Sequence, residues 1–199
     1  MIPVVWHRSR RSVRLTVSRP FTFQPDRRLF LRAAGAGAVM LLPLRAAWAS
    51  TPSRRSLSFV HTHTGERLST LYFQNGRYQP LELARINQLL RDFRTGDVHP
   101  IDPAVLDILA DLRALADRDE PYEVISGYRS PQTNAALRSR SSGVAEHSLH
   151  LEGRAIDVRL PGVATRRLRK LAVGMGRGGV GFYARSDFVH LDNGRVRYW

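Results

Sequence analysis

The stretch Glu146-His147-Ser148-Leu149-His150-Leu151-Glu152-Gly153-Arg154-Ala155-Ile156-Asp157 leads from two histidines into an apolar run that holds a carboxylate. Arg154 to Leu160 alternates, which predicts a strand, and Pro161-Gly162 ends it. A lone charged Asp157 in such a strand is costly to bury, and a cation offsets that cost. A second stretch, Ser186-Asp187-Phe188-Val189-His190-Leu191-Asp192, predicts another strand over Phe188 to Asp192. Six histidines follow Ala49, and three of them (His147, His150 and His190) fall in these two stretches.

The rest of the pattern is mixed. Leu57 to His63 and Leu68 to Phe73 read as strands around Thr64-Gly65-Glu66, a hairpin. Ile86, Leu89, Leu90 and Phe93 share one helical face. Val105, Ile108, Leu109, Leu112 and Leu115 form a second stripe, with Asp102 as cap and Pro103 in the first turn. Tyr122 to Ser126 reads as a buried strand, and Ser130-Pro131 opens a short helix to about Arg138. Leu168, Leu171 and Met175 mark another helix, and Val180 to Tyr183 another strand. Late strands this close in sequence pair antiparallel. The expected class is α+β, a mainly antiparallel sheet with packed helices.

Composition narrows the function classes. The chain has 199 residues, no cysteine and a net charge of +14. Without cysteine there is no disulfide, thiolate metal site or cysteine nucleophile. Residues 1–49 hold nine of the 31 basic residues and one of the 17 acidic ones, so the remainder carries +6. The high overall charge is therefore mostly a property of the leader, and nothing points to nucleic acid. That leader has a basic stretch (Asp26 to Arg32), an apolar run (Ala33 to Leu44) and Ala47-Trp48-Ala49 before a cleavage point. Its Arg27-Arg28-Leu29-Phe30-Leu31-Arg32 core resembles a twin-arginine signal, implying export to the periplasm. The apolar run is too short for a stable membrane span. Residues 1–49 are thus expected to be a signal with a long N-terminal extension, 50–56 a linker, and 57–199 one domain. A domain of about 150 residues buries roughly 68–70% of its unfolded surface.

A hydrolytic zinc site wants three ligands from imidazole and carboxylate plus one open position. His150, Asp157 and His190 supply that set, although their spacing alone is not a short local motif. The run Ser148 to Asp157 matches Ser-x-His-x-x-Gly-x-Ala-x-Asp throughout. It resembles the signature of the peptidoglycan zinc peptidases related to D-Ala-D-Ala dipeptidases and the hedgehog fold. Ser126-Gly127-Tyr128-Arg129-Ser130 looks like a further element of that family. Gly178 to Tyr183, Phe188 to Asp192 and the ending Arg195-Val196-Arg197-Tyr198-Trp199 are similar to its YcbK/MepK-type murein endopeptidase branch. The resemblance implies a hedgehog/DD-peptidase-like fold, Zn2+ as cofactor, peptidoglycan as partner, and His150, Asp157 and His190 as metal ligands. It also implies that Arg129 binds a substrate carboxylate or backs the reacting carbonyl.

Other assignments stay open. The dipeptidase relatives carry Glu three residues before the last His ligand, where this chain has Asp187. Asp187 is the first candidate for the general base and Asp192 the second. In a strand Asp192 shares a face with His190, so it is equally a candidate to orient a ligand histidine. Ser148 either binds the substrate or caps a turn. His147 either steadies an oxyanion or is a solvated loop residue. His61 and His63 alternate on one strand face and read as hairpin surface, with a two-His metal site as the alternative. Gly174, Gly176, Gly178 and Gly179 lack the Lys-Ser/Thr of a phosphate loop and read as a flexible turn. The main expectation is a zinc-dependent murein endopeptidase. The rivals are a D,D- or L,D-carboxypeptidase of the same family and a non-catalytic zinc-dependent peptidoglycan-binding module.

Overall fold

Period-two burial decides the strands. Leu57, Phe59 and His61 alternate inward along the first, Leu68, Thr70 and Tyr72 along the second. The computed structural model describes residues 53–141 and 143–199. The expected leader lies outside the described residues. In chain order the elements are β1 (Arg54–His61), β2 (Arg67–Gln74), β3 (Arg77–Tyr78), α1 (Pro80–Leu89), α2 (Pro103–Ala116), β4 (Tyr122–Ser126), α3 (Pro131–Arg138), a 3-10 turn (Leu149–Glu152), β5 (Ala155–Arg159), α4 (Thr165–Met175), β6 (Gly179–Tyr183), β7 (Phe188–Asp192) and β8 (Arg197–Tyr198).

The strands form one mixed sheet in the order β3-β2-β1-β4-β5-β7-β6-β8. Only β1–β4 and β6–β8 pair in parallel, so the sheet is mainly antiparallel and the α+β expectation holds. Asp102 caps α2 through a bond from the Ala104 N–H, and Val105, Ile108, Leu109 and Leu112 turn its apolar stripe into the core. Ile156 and Val158 of β5 and Val189 and Leu191 of β7 join that core. The alternate residues of those strands take the opposite face. Register then does the rest: Asp157 pairs directly with His190, and Gly181 of β6 pairs with His190 from the other side.

Several local expectations need correction. β1 begins at Arg54, taking in residues expected to be linker. Arg55 explains this: its guanidinium bonds Asp111 of α2 at 2.8 Å, which ties the strand start to a helix. Phe93 lies beyond α1, where its ring stacks on His63 at 4.2 Å. His61 is not surface. It is fully buried, and its Nδ1 accepts from the backbone N–H groups of His63 and Thr64, so it braces the turn. The late glycines are not simply a flexible turn. Gly179 lies in β6, where a Cβ would strike the Asp192 carboxylate, and Gly176 ends α4 at φ +60°.

Gly127 sits where β4 leaves the sheet, against the end of α1. A Cβ there would meet the Leu90 carbonyl oxygen at 2.5 Å and Leu90 Cβ at 2.8 Å. Gly127→Ala is expected to cost about 1–3 kcal/mol, as overpacking does. Urea unfolding should show a lower midpoint with an unchanged m-value; an unchanged midpoint would contradict this packing.

Candidate metal centre

Three elements converge on one point. Ser148 caps the 3-10 turn by accepting from the His150 N–H at 3.4 Å, and Gly153 closes the turn at φ +65°. A side chain at Gly153 would run into the Pro100 carbonyl, so the turn needs glycine on two counts. The turn delivers His150; β5 delivers Asp157, and β7 delivers His190. Each offers one ligand atom, and these atoms lie within 4.8 Å of one another. His150 Nε2 is 3.1 Å from His190 Nδ1 and 3.3 Å from Asp157 Oδ1, and His190 Nδ1 is 2.9 Å from Asp157 Oδ1. All three residues are buried.

The outward nitrogens fix the tautomers. His150 Nδ1 lies 2.7 Å from the Gly127 carbonyl, which can only accept, so Nδ1 carries the proton. His190 Nε2 lies 2.9 Å from Asp192 Oδ2, so Nε2 likewise donates. With neutral rings, both inward nitrogens present lone pairs to each other and to a carboxylate. Three Lewis bases that close repel unless a cation joins them, so the residues fit a divalent metal ion. In the metal-free chain a proton takes that place. Burial alone would lower the His190 pKa, but hydrogen bonds to Asp157 and Asp192 raise it to about 9. Burial lowers that of His150. Burial would raise that of Asp157, but His150 and His190 hold it well below the usual carboxylate range.

The expected bases fare differently from the expected ligands. Asp187 does not reach the site. Its side chain is 64% exposed, and its carboxylate accepts from the Thr165 hydroxyl at the start of α4 and faces Arg159 at 3.7 Å. Its left-handed φ of +50° turns it off the strand before β7 begins. Asp192 is on the correct face but fully engaged. Its side chain is 0% exposed and accepts from His190, Arg197 and the backbone N–H groups of Gly179 and Gly194. That makes it an anchor for His190, not a free base.

Arg129 and Ser148 both border a cavity of about 440 Å³ that His150 and His190 also line. Arg129 Nη2 stands 3.9 Å from Asp157 Oδ2, and Asn134 of α3 accepts from its Nη1 at 3.3 Å. His147 lines the same cavity and is exposed. Among the described residues no Asp or Glu lines it. Tyr183, Phe188, Arg197 and Trp199 also line it, and sequence reasoning gave none of them a site role. Their only signal was their place in the late runs.

The family model Peptidase_M15_2, described as "Peptidoglycan L,D-endopeptidase MepK", matches residues 49–199. The chain belongs to this family of peptidases. The peptidoglycan L,D-endopeptidase MepK of Escherichia coli (strain K12) is 42% identical over 179 residues, covering 89% of this chain and 98% of that protein. A probable peptidoglycan L,D-endopeptidase MepK of Haemophilus influenzae is 40% identical over 177 residues, covering 87% and 95%. The shared family places the buried cluster in a peptidase and matches the resemblance read from Ser148 to Asp157.

Two measurements follow from the geometry. Because His190 carries an extra proton below about pH 9, metal uptake at pH 7 should release about one proton. Affinity should therefore rise with pH up to about 9 and fall as pH drops. Calorimetry in buffers of different ionisation enthalpy checks this; no buffer dependence would contradict it. Asp192→Asn removes the carboxylate that holds His190 and should weaken metal affinity about 10–100-fold, read by competition with a chelator. Unchanged affinity would deny Asp192 its anchoring role.

Proposed function

We propose that this chain is a zinc-dependent peptidoglycan endopeptidase that hydrolyses stem-peptide cross-links in the cell wall. The observation that carries the reading is the inward convergence of two imidazole nitrogens and a carboxylate beside an open cavity, in a member of a peptidase family. The donor set suits zinc, which His150, Asp157 and His190 would hold. Zinc held there would supply an activated water and polarise a carbonyl.

The chain's own residues do the rest. Gly127 and Asp192 hold the two imidazoles by their outer nitrogens. Arg129 is half-buried beside Asp157, with its guanidinium on the cavity wall; it binds a substrate carboxylate or backs the carbonyl under attack. Ser148 keeps its capping role and adds a hydroxyl to the same wall. The relatives' name, L,D-endopeptidase, supports a bond between L- and D-configured centres as the one cleaved. The leader-like residues 26–49 support export by the twin-arginine route to the periplasm, where this polymer lies. Among the described residues no helix is long and apolar enough to cross a membrane.

Digestion of purified muropeptides tests the reading. Cross-linked dimers should fall to monomers, and His150→Ala should reduce the rate to background. Monomers that lose a single terminal alanine instead would make the chain a carboxypeptidase. Binding of peptidoglycan without any cleavage would make it a non-catalytic module.

A further inference from the structure

A further polar group lines the cavity, and it comes from the end of β6. Tyr183 is the last residue of that strand and pairs with Phe188 across β7. Its ring stacks on Phe188 with centroids 4.6 Å apart, which fixes the direction of the phenol. The Trp199 indole donates from Nε1 to the Tyr183 oxygen at 3.1 Å. An indole N–H can only donate, so the Tyr183 oxygen must accept. Among the described residues the Tyr183 hydroxyl donates to none, so its own proton is uncommitted. Tyr183 lines the cavity that His150, His190 and Arg129 also line.

Trp199 is itself firmly seated. The Phe182 N–H donates to its carbonyl at 3.0 Å, and its own N–H donates to the Val180 carbonyl at 3.2 Å. The indole lies over Gly181, where a Cβ would meet it at 2.6 Å. Gly181 is the direct strand partner of His190, so the missing side chain lets the indole approach that ring, at 5.3 Å between centroids. Arg197 covers the indole at 5.0 Å while pairing with Asp192. One indole thus touches both His190 and Tyr183.

We propose that the Tyr183 hydroxyl donates a hydrogen bond to the oxygen that becomes negative as water adds to the scissile carbonyl. This role rests on the peptidase reading. In the step, a hydroxide, formed when the water gives a proton to solvent in the open cavity, bonds through its oxygen to the carbonyl carbon; the carbonyl π bond breaks onto oxygen, which takes over the single negative charge. Tyr183 keeps its O–H bond throughout and stabilises the charge. Trp199 is a positioning residue: its indole N–H occupies one lone pair of the phenol oxygen and leaves the hydroxyl proton free to donate into the cavity. A donor placed where charge develops acts on the transition state more than on bound substrate.

The test uses the zinc-loaded protein and cross-linked muropeptides. Tyr183→Phe keeps the ring and its stacking on Phe188 but removes the hydroxyl. Its kcat is expected to fall about 10²–10³-fold, the usual effect of losing one such donor, with KM within about twofold. Zinc content and melting temperature should stay at wild-type values. Affinity for a phosphinate analogue of the transition state, measured by calorimetry, should fall by the same factor, while affinity for the cleaved peptide product should not. Trp199→Phe should lower kcat about fivefold, the worth of one neutral hydrogen bond. The double variant should be no slower than Tyr183→Phe alone, because Trp199 acts through the hydroxyl. Wild-type kcat in Tyr183→Phe, or a loss traced to zinc content, overturns the role while leaving the peptidase reading intact. Inactive wild-type protein overturns both.

Discussion

Everything in the site depends on how His190 is held. Asp157 faces its Nδ1 and Asp192 its Nε2, each at 2.9 Å. A histidine between two buried carboxylates must carry a proton or meet a metal, because either carboxylate alone in that interior is costly. The sheet makes the sandwich unavoidable. Asp157 is the direct cross-strand partner of His190, and Asp192 is two residues along the same face. A slip of one residue between β5 and β7 would turn Asp157 or His190 into the apolar core. The register that buries Ile156, Val158, Val189 and Leu191 is therefore the register that assembles the ligands.

The site is also shaped by what is missing from β6. Gly179 and Gly181 lie beside Asp192 and His190, and neither leaves room for a Cβ. The space goes to Arg197 and Trp199. Arg197 neutralises the second carboxylate of the sandwich, and the Trp199 indole lies beside the histidine ring, 5.3 Å between centroids. The final strand thus contributes as much to the metal centre's surroundings as the motif that names it.

Much of this was legible in the sequence. Alternation pointed to β5, and short apolar runs to β4 and β7, because each is a short strand with apolar residues on the core side. Asp102 and Ser130, each followed by proline, marked the starts of α2 and α3 because they cap in the expected way. The three candidate ligands were legible as a set through the resemblance carried by Ser148 to Asp157; a carboxylate in an apolar strand only hinted at them. The general base was not. Asp187 is close in sequence to His190, but a left-handed residue before the strand turns it toward Thr165, and spacing does not report that turn. Tyr183 and Trp199 were illegible for a different reason. Their relation depends on an indole crossing a glycine on a parallel neighbour strand, a contact that exists only in three dimensions.

The central claim is that His150, Asp157 and His190 hold one metal ion, with the two imidazoles using different nitrogens. Anomalous diffraction at the zinc edge from crystals grown with zinc tests it most directly. The account predicts a single strong peak bonded to His150 Nε2, His190 Nδ1 and the Asp157 carboxylate, with Asp192 still on His190 Nε2. A peak elsewhere, or a metal bonded through His190 Nε2 with Asp192 displaced, would contradict it.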